Sequence, residues 1–212
     1  MTVKVKICGL KDKDAVIAAS KADFIGLVFY QKSPRFINAI DAKKLLRYIA
    51  PSQKVVGLFV NSDLNSLYHI NDYLKLDVIQ LHGDENMDYL KDIKKLGKPI
   101  IKSIPVKNSI DIKNSKKYEK ICDMLLFDTK STIDVSGGTG NSFDWNLLSR
   151  YKSKKDWILA GGLKTENIGT ALKITNAPIV DVSSGIEKER GVKCEKKIKN
   201  FLKFIQDYEK QI

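Results

Sequence analysis

Two side chains at the ends of short apolar runs are candidates for proton transfer. In VKVKIC, residues 3–8, apolar residues alternate with Lys4, Lys6 and Cys8, which share one face of a predicted strand. Positive charge from a nearby lysine lowers a cysteine pKa from about 8.5, so Lys6 predicts a reactive thiol. The same thiol also fits a small buried apolar side chain. Asp128 ends the run DMLLFD and suits either proton transfer or a helix cap.

Glycine-rich turns after two later apolar runs are candidates for phosphate binding. AGGLKTEN places Gly161 and Gly162 at the end of one run, and VSSGIE places Ser184 and Gly185 at the end of the next. Backbone N–H groups of such turns bind phosphate together with the positive end of a following helix. A single glycine pair suits any tight turn, but two successive turns of this kind predict a phosphate site.

Three further polar residues follow or end other runs. Arg35, in SPRF, offers a fork of donors to a carboxylate or phosphate, or it is an ordinary surface arginine. His82, in QLHG, either orients a substrate group or completes hydrogen bonds at a rim, and Asp181 lies near the end of the last apolar run. The long stretch TKSTIDVSGGTGNSF, residues 129–143, predicts a functional loop.

Hydrophobic periodicity places these residues within a regular alternation of strands and helices. The predicted strands are 3–8, 24–29, 54–60, 77–82, 99–104, 123–128, 156–160 and 178–183. The predicted helices lie near 12–21, 41–50, 63–75, 85–96, 109–120, 144–151, 165–174 and 195–209. Eight such units predict an α/β fold, a TIM (β/α)8 barrel forming a single domain over residues 1–212. A doubly wound dinucleotide fold would need GxGxxG after the first strand, and ICGLKD lacks it.

The charge and cysteine content limit the kinds of molecule that the protein is expected to bind. The net charge is +12, but lysines are spread over nearly every predicted helix and only four residues are arginine, which disfavours nucleic-acid binding. The excess charge would instead attract a phosphorylated or carboxylated small molecule. Three widely spaced cysteines predict free thiols rather than a disulfide framework or a zinc site. With no long apolar run, we expect a cytoplasmic protein that does not bind a membrane.

Motifs along nearly the whole chain resemble those of the phosphoribosylanthranilate isomerase family. They are KICGL, GLVFYQKSPR, VGLFVN, DVIQLHGDE, LLFD, GGTGNSFDW, LAGGLKTEN and DVSSGIEKERGVK, in that order. KICG, QLHGDE and SSGIE are specific in combination, whereas AGGL alone recurs among phosphate-binding barrels. The resemblance implies an aldose–ketose isomerase of tryptophan biosynthesis that needs no cofactor and no metal.

The resemblance also implies roles for individual residues. Cys8 would be the general base and Asp128 the general acid of an Amadori rearrangement. Arg35 would hold the anthranilate end of the substrate, with His82 and Asp181 lining the site. The remaining assignments are phosphate binding by Gly161, Gly162, Ser184 and Gly185, and a loop over the site containing Gly137, Gly138 and Thr139.

Two points depart from the family pattern or stay open. Cys194 stands where the family usually has aspartate, which predicts weaker capping of the last helix. Either a monomer or a homodimer is compatible with the sequence. Alternative readings are another phosphosugar barrel, such as an epimerase or indoleglycerol phosphate synthase, a basic nucleic-acid or membrane binder, and a non-catalytic barrel relative.

Overall fold

The computed structural model describes residues 2–129 and 142–210, and eight parallel strands form a closed barrel at its centre. The strands are β1 Lys4–Cys8, β2 Phe24–Val28, β3 Lys54–Phe59, β4 Val78–Leu81, β5 Ile100–Val106, β6 Met124–Thr129, β7 Trp157–Leu159 and β8 Ile179–Val182. Each strand pairs with the next in the sequence, and β8 closes the barrel by pairing with β1, where Lys6 lies opposite Asp181. The predicted (β/α)8 fold class is confirmed.

Helices connect most of the strands. They are α1 Lys13–Ala18, α2 Ala39–Leu45, α3 Leu64–Leu74, α4 Met87–Lys94, α5 Ser109–Ser115, α6 Ile168–Thr175 and α7 Glu195–Glu209. Asp or Asn precedes each of α1 to α5, and its side chain accepts a hydrogen bond from a backbone N–H of the first turn. Cys194 precedes α7 without such a bond, as the sequence predicts.

The helix expected near 144–151 is wrong. Within the described residues, that segment forms only a short 3-10 turn, Trp145–Leu148, in which Leu148 is the buried residue. Beside Leu148, Trp145, Leu147 and Tyr151 are only partly buried against the core, which gives the segment too little apolar contact to hold a longer helix. The predicted helices near 41–50 and 109–120 likewise end in 3-10 turns, Leu46–Tyr48 and Lys116–Lys120.

A short antiparallel hairpin that the periodicity does not predict lies between β8 and α7. Its strands are β9 Glu187–Glu189 and β10 Val192–Lys193, and a 3-10 turn, Ser184–Ile186, precedes it. Strands of two and three residues are too short to produce an alternating pattern. The hairpin matters because it carries Glu187 and Lys193 to the end of the barrel.

Side chains alternate between the helix layer and the barrel interior. The inward apolar cluster consists of Phe24, Val56, Val78, Ile101, Leu126, Ile158, Ala160 and Ile179. Lys6 and Gln80 are polar residues of β1 and β4 that have no exposed surface. Lys4 shares the face of Lys6 but stays half-exposed at the start of β1, where it pairs with Asp156 at 3.4 Å.

Candidate active site

One pocket brings together the five side chains predicted for catalysis and substrate contact. Cys8 ends β1, Arg35 follows β2, His82 follows β4, Asp128 lies near the end of β6 and Asp181 lies in β8. These positions are the carboxyl ends of the strands, where barrels of this class place their chemistry. The pocket is completed by Val28, Tyr30, Ser33, Leu58, Val60 and Ser183.

Cys8 lies among buried charges. Its residue is 5% exposed, and the fully buried Lys6 places Nζ 3.0 Å from Oδ1 of Asp181. Gly26 on β2 leaves room for both side chains, because a Cβ there would lie 3.1 Å from Cys8 Sγ and 3.1 Å from Lys6 Nζ. Burial alone would lower the pKa of Lys6, but the paired Asp181 carboxylate raises it, so Lys6 is an ammonium group.

The predicted lowering of the Cys8 pKa is wrong. Burial raises the pKa of this thiol, Lys6 and Lys193 oppose the rise without cancelling it, and Asp181 adds to it. The cation expected from the sequence is present, but loss of hydration disfavours the thiolate more strongly than the cation stabilises it. Cys8 is therefore a thiol at neutral pH in the substrate-free protein.

Asp128 and His82 contact each other in the pocket. His82 Nε2 lies 3.3 Å from Asp128 Oδ2, and each side chain is 14% exposed. The other carboxylate oxygen of Asp128, Oδ1, accepts a 2.7 Å hydrogen bond from the backbone N–H of Thr129. Gly161 packs against this group, since a Cβ on Gly161 would lie 3.1 Å from Asp128 Oδ1. Asp128 thus faces the pocket with one oxygen bonded to a backbone N–H and the other next to His82 Nε2.

Arg35 is buried and held by an ion pair that the sequence does not predict. Its Nε and Nη2 donate to the two carboxylate oxygens of Glu187 at 2.7 and 2.9 Å. Lys193 Nζ donates to Oε1 of the same carboxylate at 2.8 Å, and the Gly191 N–H donates to Oε2 at 3.0 Å. Burial alone would raise the pKa of Glu187, but the hydrogen bonds from Arg35 and Lys193 lower it to about 2.

Lys193 also connects this network to the backbone of β1. Its Nζ donates to the Ser183 hydroxyl at 3.0 Å, and that hydroxyl donates to the carbonyl oxygen of Cys8 at 3.1 Å. Burial lowers the pKa of Lys193, and Glu187 opposes the change. The hairpin therefore supplies two charged groups close to the candidate base.

The turn that carries His82 is fixed by a second buried ion pair. Lys102 Nζ lies 2.9 Å from Glu85 Oε2, and both side chains are at most 3% exposed. Glu85 Oε1 accepts the N–H groups of Asn61 and Gly83, each at 3.0 Å. The turns after β3 and β4 are joined through one carboxylate, which limits the movement of His82.

The glycine-rich turns line a second cavity beside the first. Gly162, Ser184 and Gly185 contribute to it, whereas Gly161 lies against Asp128 instead. A Cβ on Gly185 would overlap the carbonyl oxygen of Leu163, so only glycine lets the two turns pack in this way. The cavity is completed by Lys164, Thr165, Glu166, Lys197 and Asn200, which include two cationic side chains.

Three other expectations concern the predicted loop, metal binding and membrane-spanning helices. The predicted loop residues Gly137, Gly138 and Thr139 lie outside the described residues. Across residues 2–129 and 142–210, no cluster of three His, Cys, Asp or Glu residues is arranged to hold a metal ion. In the same two segments, none of the helices combines the length and apolar character needed to cross a membrane.

Comparison with known proteins identifies the family. Residues 5–204 match the family model described as N-(5'phosphoribosyl)anthranilate (PRA) isomerase. The chain belongs to this family. A relative from Rhodospirillum rubrum, named N-(5'-phosphoribosyl)anthranilate isomerase, is 37% identical over an aligned length of 212. The alignment covers 96% of this chain and 97% of the relative.

Solved structures of phosphoribosylanthranilate isomerases have the same fold. One, in complex with reduced 1-(o-carboxyphenylamino)-1-deoxyribulose 5-phosphate, has a TM-score of 0.85 and 32% identity, covering 97% of this chain and 100% of that chain. Another, of monomers generated from the dimeric isomerase of Thermotoga maritima, has a TM-score of 0.84 and 32% identity with the same coverage.

Sequence reasoning missed the groups that support the predicted site residues. Glu187 and Lys193 belong to the motif that carries the family resemblance, but their contact with Arg35 is a feature of the folded chain. Gln80 is also missed, although strand alternation places it on the face of His82, and its Nε2 lies 3.0 Å from His82 Nδ1.

Proposed function

We propose that the chain isomerises N-(5-phosphoribosyl)anthranilate to 1-(2-carboxyphenylamino)-1-deoxyribulose 5-phosphate, the Amadori step of tryptophan biosynthesis. Family membership supports the overall reaction. The observation that carries the mechanism is the single pocket that holds Cys8 from β1 and Asp128 from β6. An aldose–ketose rearrangement requires an acid and a base that reach the same sugar.

In this mechanism Asp128 is the general acid. It gives its proton to the furanose ring oxygen, the bond between that oxygen and C1 breaks, and the anthranilate nitrogen forms an iminium with C1. The reaction leaves Asp128 as a carboxylate. The donors from His82 and the Thr129 N–H, at 3.3 and 2.7 Å, support this role because they stabilise the charge that forms.

Cys8 is the general base in the second step. Its thiolate removes the proton from C2, the electron pair of that C–H bond forms the C1–C2 double bond, and the iminium π pair moves to nitrogen. The resulting enolamine then tautomerises to the ketone. Because burial raises the pKa of the free thiol, the base form is a minor population at neutral pH. The nearby Lys6 and Lys193 ammonium groups support its formation during turnover.

The charged groups around the two cavities suit the two ends of this substrate. Arg35 contacts the anthranilate carboxylate with the donors that Glu187 leaves unused. The turns at Gly162, Ser184 and Gly185 bind the phosphate, and Lys164 and Lys197 add positive charge to the same cavity. Ser183 and Ser184 are adjacent and line one cavity each, so a single substrate spans both.

The test follows the loss of anthranilate fluorescence in the wild type, Cys8→Ser and Asp128→Asn. Each variant should lose at least about 100-fold in kcat, the usual contribution of a positioned acid or base. Cys194→Ser and Asp84→Asn are matched controls, because these partly or fully exposed residues do not line the pocket and should keep wild-type rates. Near wild-type kcat in either active-site variant would refute the assignment, and an inactive wild type would refute the function.

Three properties stay predictions at this level. They are a monomeric or homodimeric state, a cytoplasmic location and a reaction that needs neither cofactor nor metal. A light-scattering mass and an assay in the presence of a chelator test the first and the last directly.

A further inference from the structure

Gln80 is an unusual residue for the interior of this barrel. It lies in β4 with no exposed surface, and its strand neighbours in the register are Leu58 and Ile101. Its Nε2 lies 3.0 Å from Nδ1 of His82, whereas its Oε1 has no hydrogen-bond partner anywhere in the described part of the chain. A buried amide that is only half satisfied is costly, so its one contact has a specific purpose that an apolar residue would not serve.

The contact determines which nitrogen of His82 carries the proton. With the Gln80 amide in this orientation its Nε2–H group donates, so Nδ1 of His82 accepts the hydrogen bond. Neutral His82 therefore carries its proton on Nε2. That nitrogen lies 3.3 Å from Asp128 Oδ2 and 3.5 Å from the Ser103 hydroxyl, so its N–H is directed to the pocket.

We propose that Gln80 is a positioning residue for proton transfer by Asp128, acting through the tautomer of His82. As Asp128 gives its proton to the substrate ring oxygen, it becomes a carboxylate, and the His82 Nε2–H donates to it. A hydrogen bond to the developing carboxylate is stronger than one to the neutral acid, so it lowers the barrier rather than strengthening substrate binding. This inference rests on the proposed function, in which Asp128 is the acid.

The alternative tautomer shows why Gln80 is needed. With the proton on Nδ1, the lone pair of Nε2 would face Asp128 and would oppose formation of the carboxylate. Ser103 is 3.5 Å from Nε2 and can accept or donate, so it accommodates either tautomer. As a carboxylate, Asp128 also accepts from Nε2–H, so the Gln80 amide is the contact that holds this tautomer while Asp128 still carries its proton.

The direct test is ¹⁵N NMR of the histidine side chains near pH 8.5, where imidazole is ordinarily neutral. The chain contains two histidines, so both signals can be assigned. His69 is an internal reference of opposite type, because its Nδ1 lies 2.7 Å from the carbonyl oxygen of Asn65 and must donate. We expect His82 to be protonated on Nε2 in the wild type and to become a mixture of tautomers in Gln80→Met.

Gln80→Glu gives the opposite expectation and does not depend on the behaviour of the Met variant. Its carboxylate would accept from Nδ1–H, so it should move the proton of His82 to Nδ1. Both variants should lose roughly 10- to 100-fold in the single-turnover rate, the size expected for one hydrogen bond to a charged group. KM should change by less than about twofold, because the bond forms with the transition state.

Gln53→Met is the matched control. Gln53 is a buried glutamine that donates to the carbonyl oxygens of Ala19 and Ala22, at 2.9 and 2.8 Å, and it does not line the pocket. This variant should lose stability but keep the wild-type tautomer and the wild-type single-turnover rate.

Either of two results would overturn the proposal. One is a wild-type His82 protonated on Nδ1. The other is a Gln80→Glu protein that folds and turns over at the wild-type rate. An inactive wild type with the expected Nε2–H tautomer would refute the proposed function and leave the assignment of the tautomer intact.

Discussion

Replacing Glu187 by glutamine tests how much the carboxylate that pairs with Arg35 and Lys193 stabilises the fold. The substitution keeps the shape of the side chain and removes its charge. Arg35 and Lys193, whose side chains are 6% and 0% exposed, would then lie together without an anion. Gln can accept with one atom only, so at least one cationic donor loses its acceptor.

The size of the effect follows from burial and from the pKa. Leaving buried charges uncompensated costs about 3–5 kcal/mol, which lowers the melting temperature of a chain of this length by roughly 6–20 °C. The pKa of Glu187 is lowered from 4.5 to about 2 in the folded protein. This difference alone corresponds to roughly 3 kcal/mol at pH 7. Because the folded pKa is depressed, the stabilisation is complete above pH 4.5 and is lost as the pH falls through about 2.

Urea unfolding of the wild type and Glu187→Gln at pH 7 and pH 3.5 measures the stability difference and its dependence on pH. The stability difference between the proteins should be about 3–5 kcal/mol at pH 7 and should shrink by about 1.4 kcal/mol at pH 3.5. Glu189→Gln makes the same chemical change at an exposed position of β9 and should stay within about 0.5 kcal/mol of the wild type. A Glu187→Gln protein within about 1 kcal/mol of the wild type at both pH values would refute this reasoning.

Three other changes test separate parts of the site. Gly185→Ala should raise KM roughly tenfold or more with little loss of kcat, because a Cβ would overlap the Leu163 carbonyl and separate the phosphate turns. Gly169→Ala, in α6, is the control. An unchanged KM in Gly185→Ala would contradict the assignment of these turns to phosphate binding. Titration of the native protein with a thiol reagent should show one fast-reacting thiol, that of Cys194. Burial raises the pKa of Cys8 and raises that of Cys122 to about 12, so these two thiols should react slowly. A fast-reacting thiol that remains in Cys194→Ser would refute this expectation. Gly26→Ala should displace the Lys6 ammonium from Cys8 and so raise the thiol pKa. The limb of the kcat pH profile that reports the Cys8 pKa should then move to higher pH. A limb that does not move would mean that Lys6 does not act on the thiol.

The fold was predictable because its elements are repetitive. Buried parallel strands appear as short β-branched runs, and all eight were found to within two residues at their ends. Helix α7 was predicted with its bounds intact, because fifteen residues give the amphipathic pattern four turns to repeat. Helices of six to eight residues, such as α1 and α6, give barely two turns, and their bounds depend on capping contacts that periodicity does not detect.

The site was predictable only as a set of positions. Residues at strand ends converge in a barrel, so Cys8 and Asp128 could be placed at one pocket from the topology. Their partners could not be placed, because those contacts join distant parts of the sequence. Lys6 and Asp181 are 175 residues apart, and their pairing depends on the register between β1 and β8.

The electrostatic error at Cys8 has the same origin. The sequence shows that Lys6 is near the thiol, but it does not show how completely the fold removes water from both groups. With Cys8 5% exposed and Lys6 without any exposed surface, burial becomes the largest contribution to the thiol pKa. A charge pattern therefore predicts the sign of one contribution, and burial decides the net direction.

Counting the buried charges around Cys8 gives a final prediction with a definite sign. Lys6, Arg35 and Lys193 are cationic and Asp181 and Glu187 are anionic, so this cluster carries one surplus positive charge. A Cys8 thiolate would neutralise the surplus, which means that the cluster is arranged for the base form although burial disfavours it in the free protein. Lys193→Met lowers the surplus from one to zero and removes a charge that lowers the thiol pKa, so it should raise that pKa. The limb of its kcat pH profile that reports the Cys8 pKa should therefore move to higher pH, in the same direction as expected for Gly26→Ala. Shifts of opposite sign in the two variants would show that the cluster does not act on Cys8 through its charge.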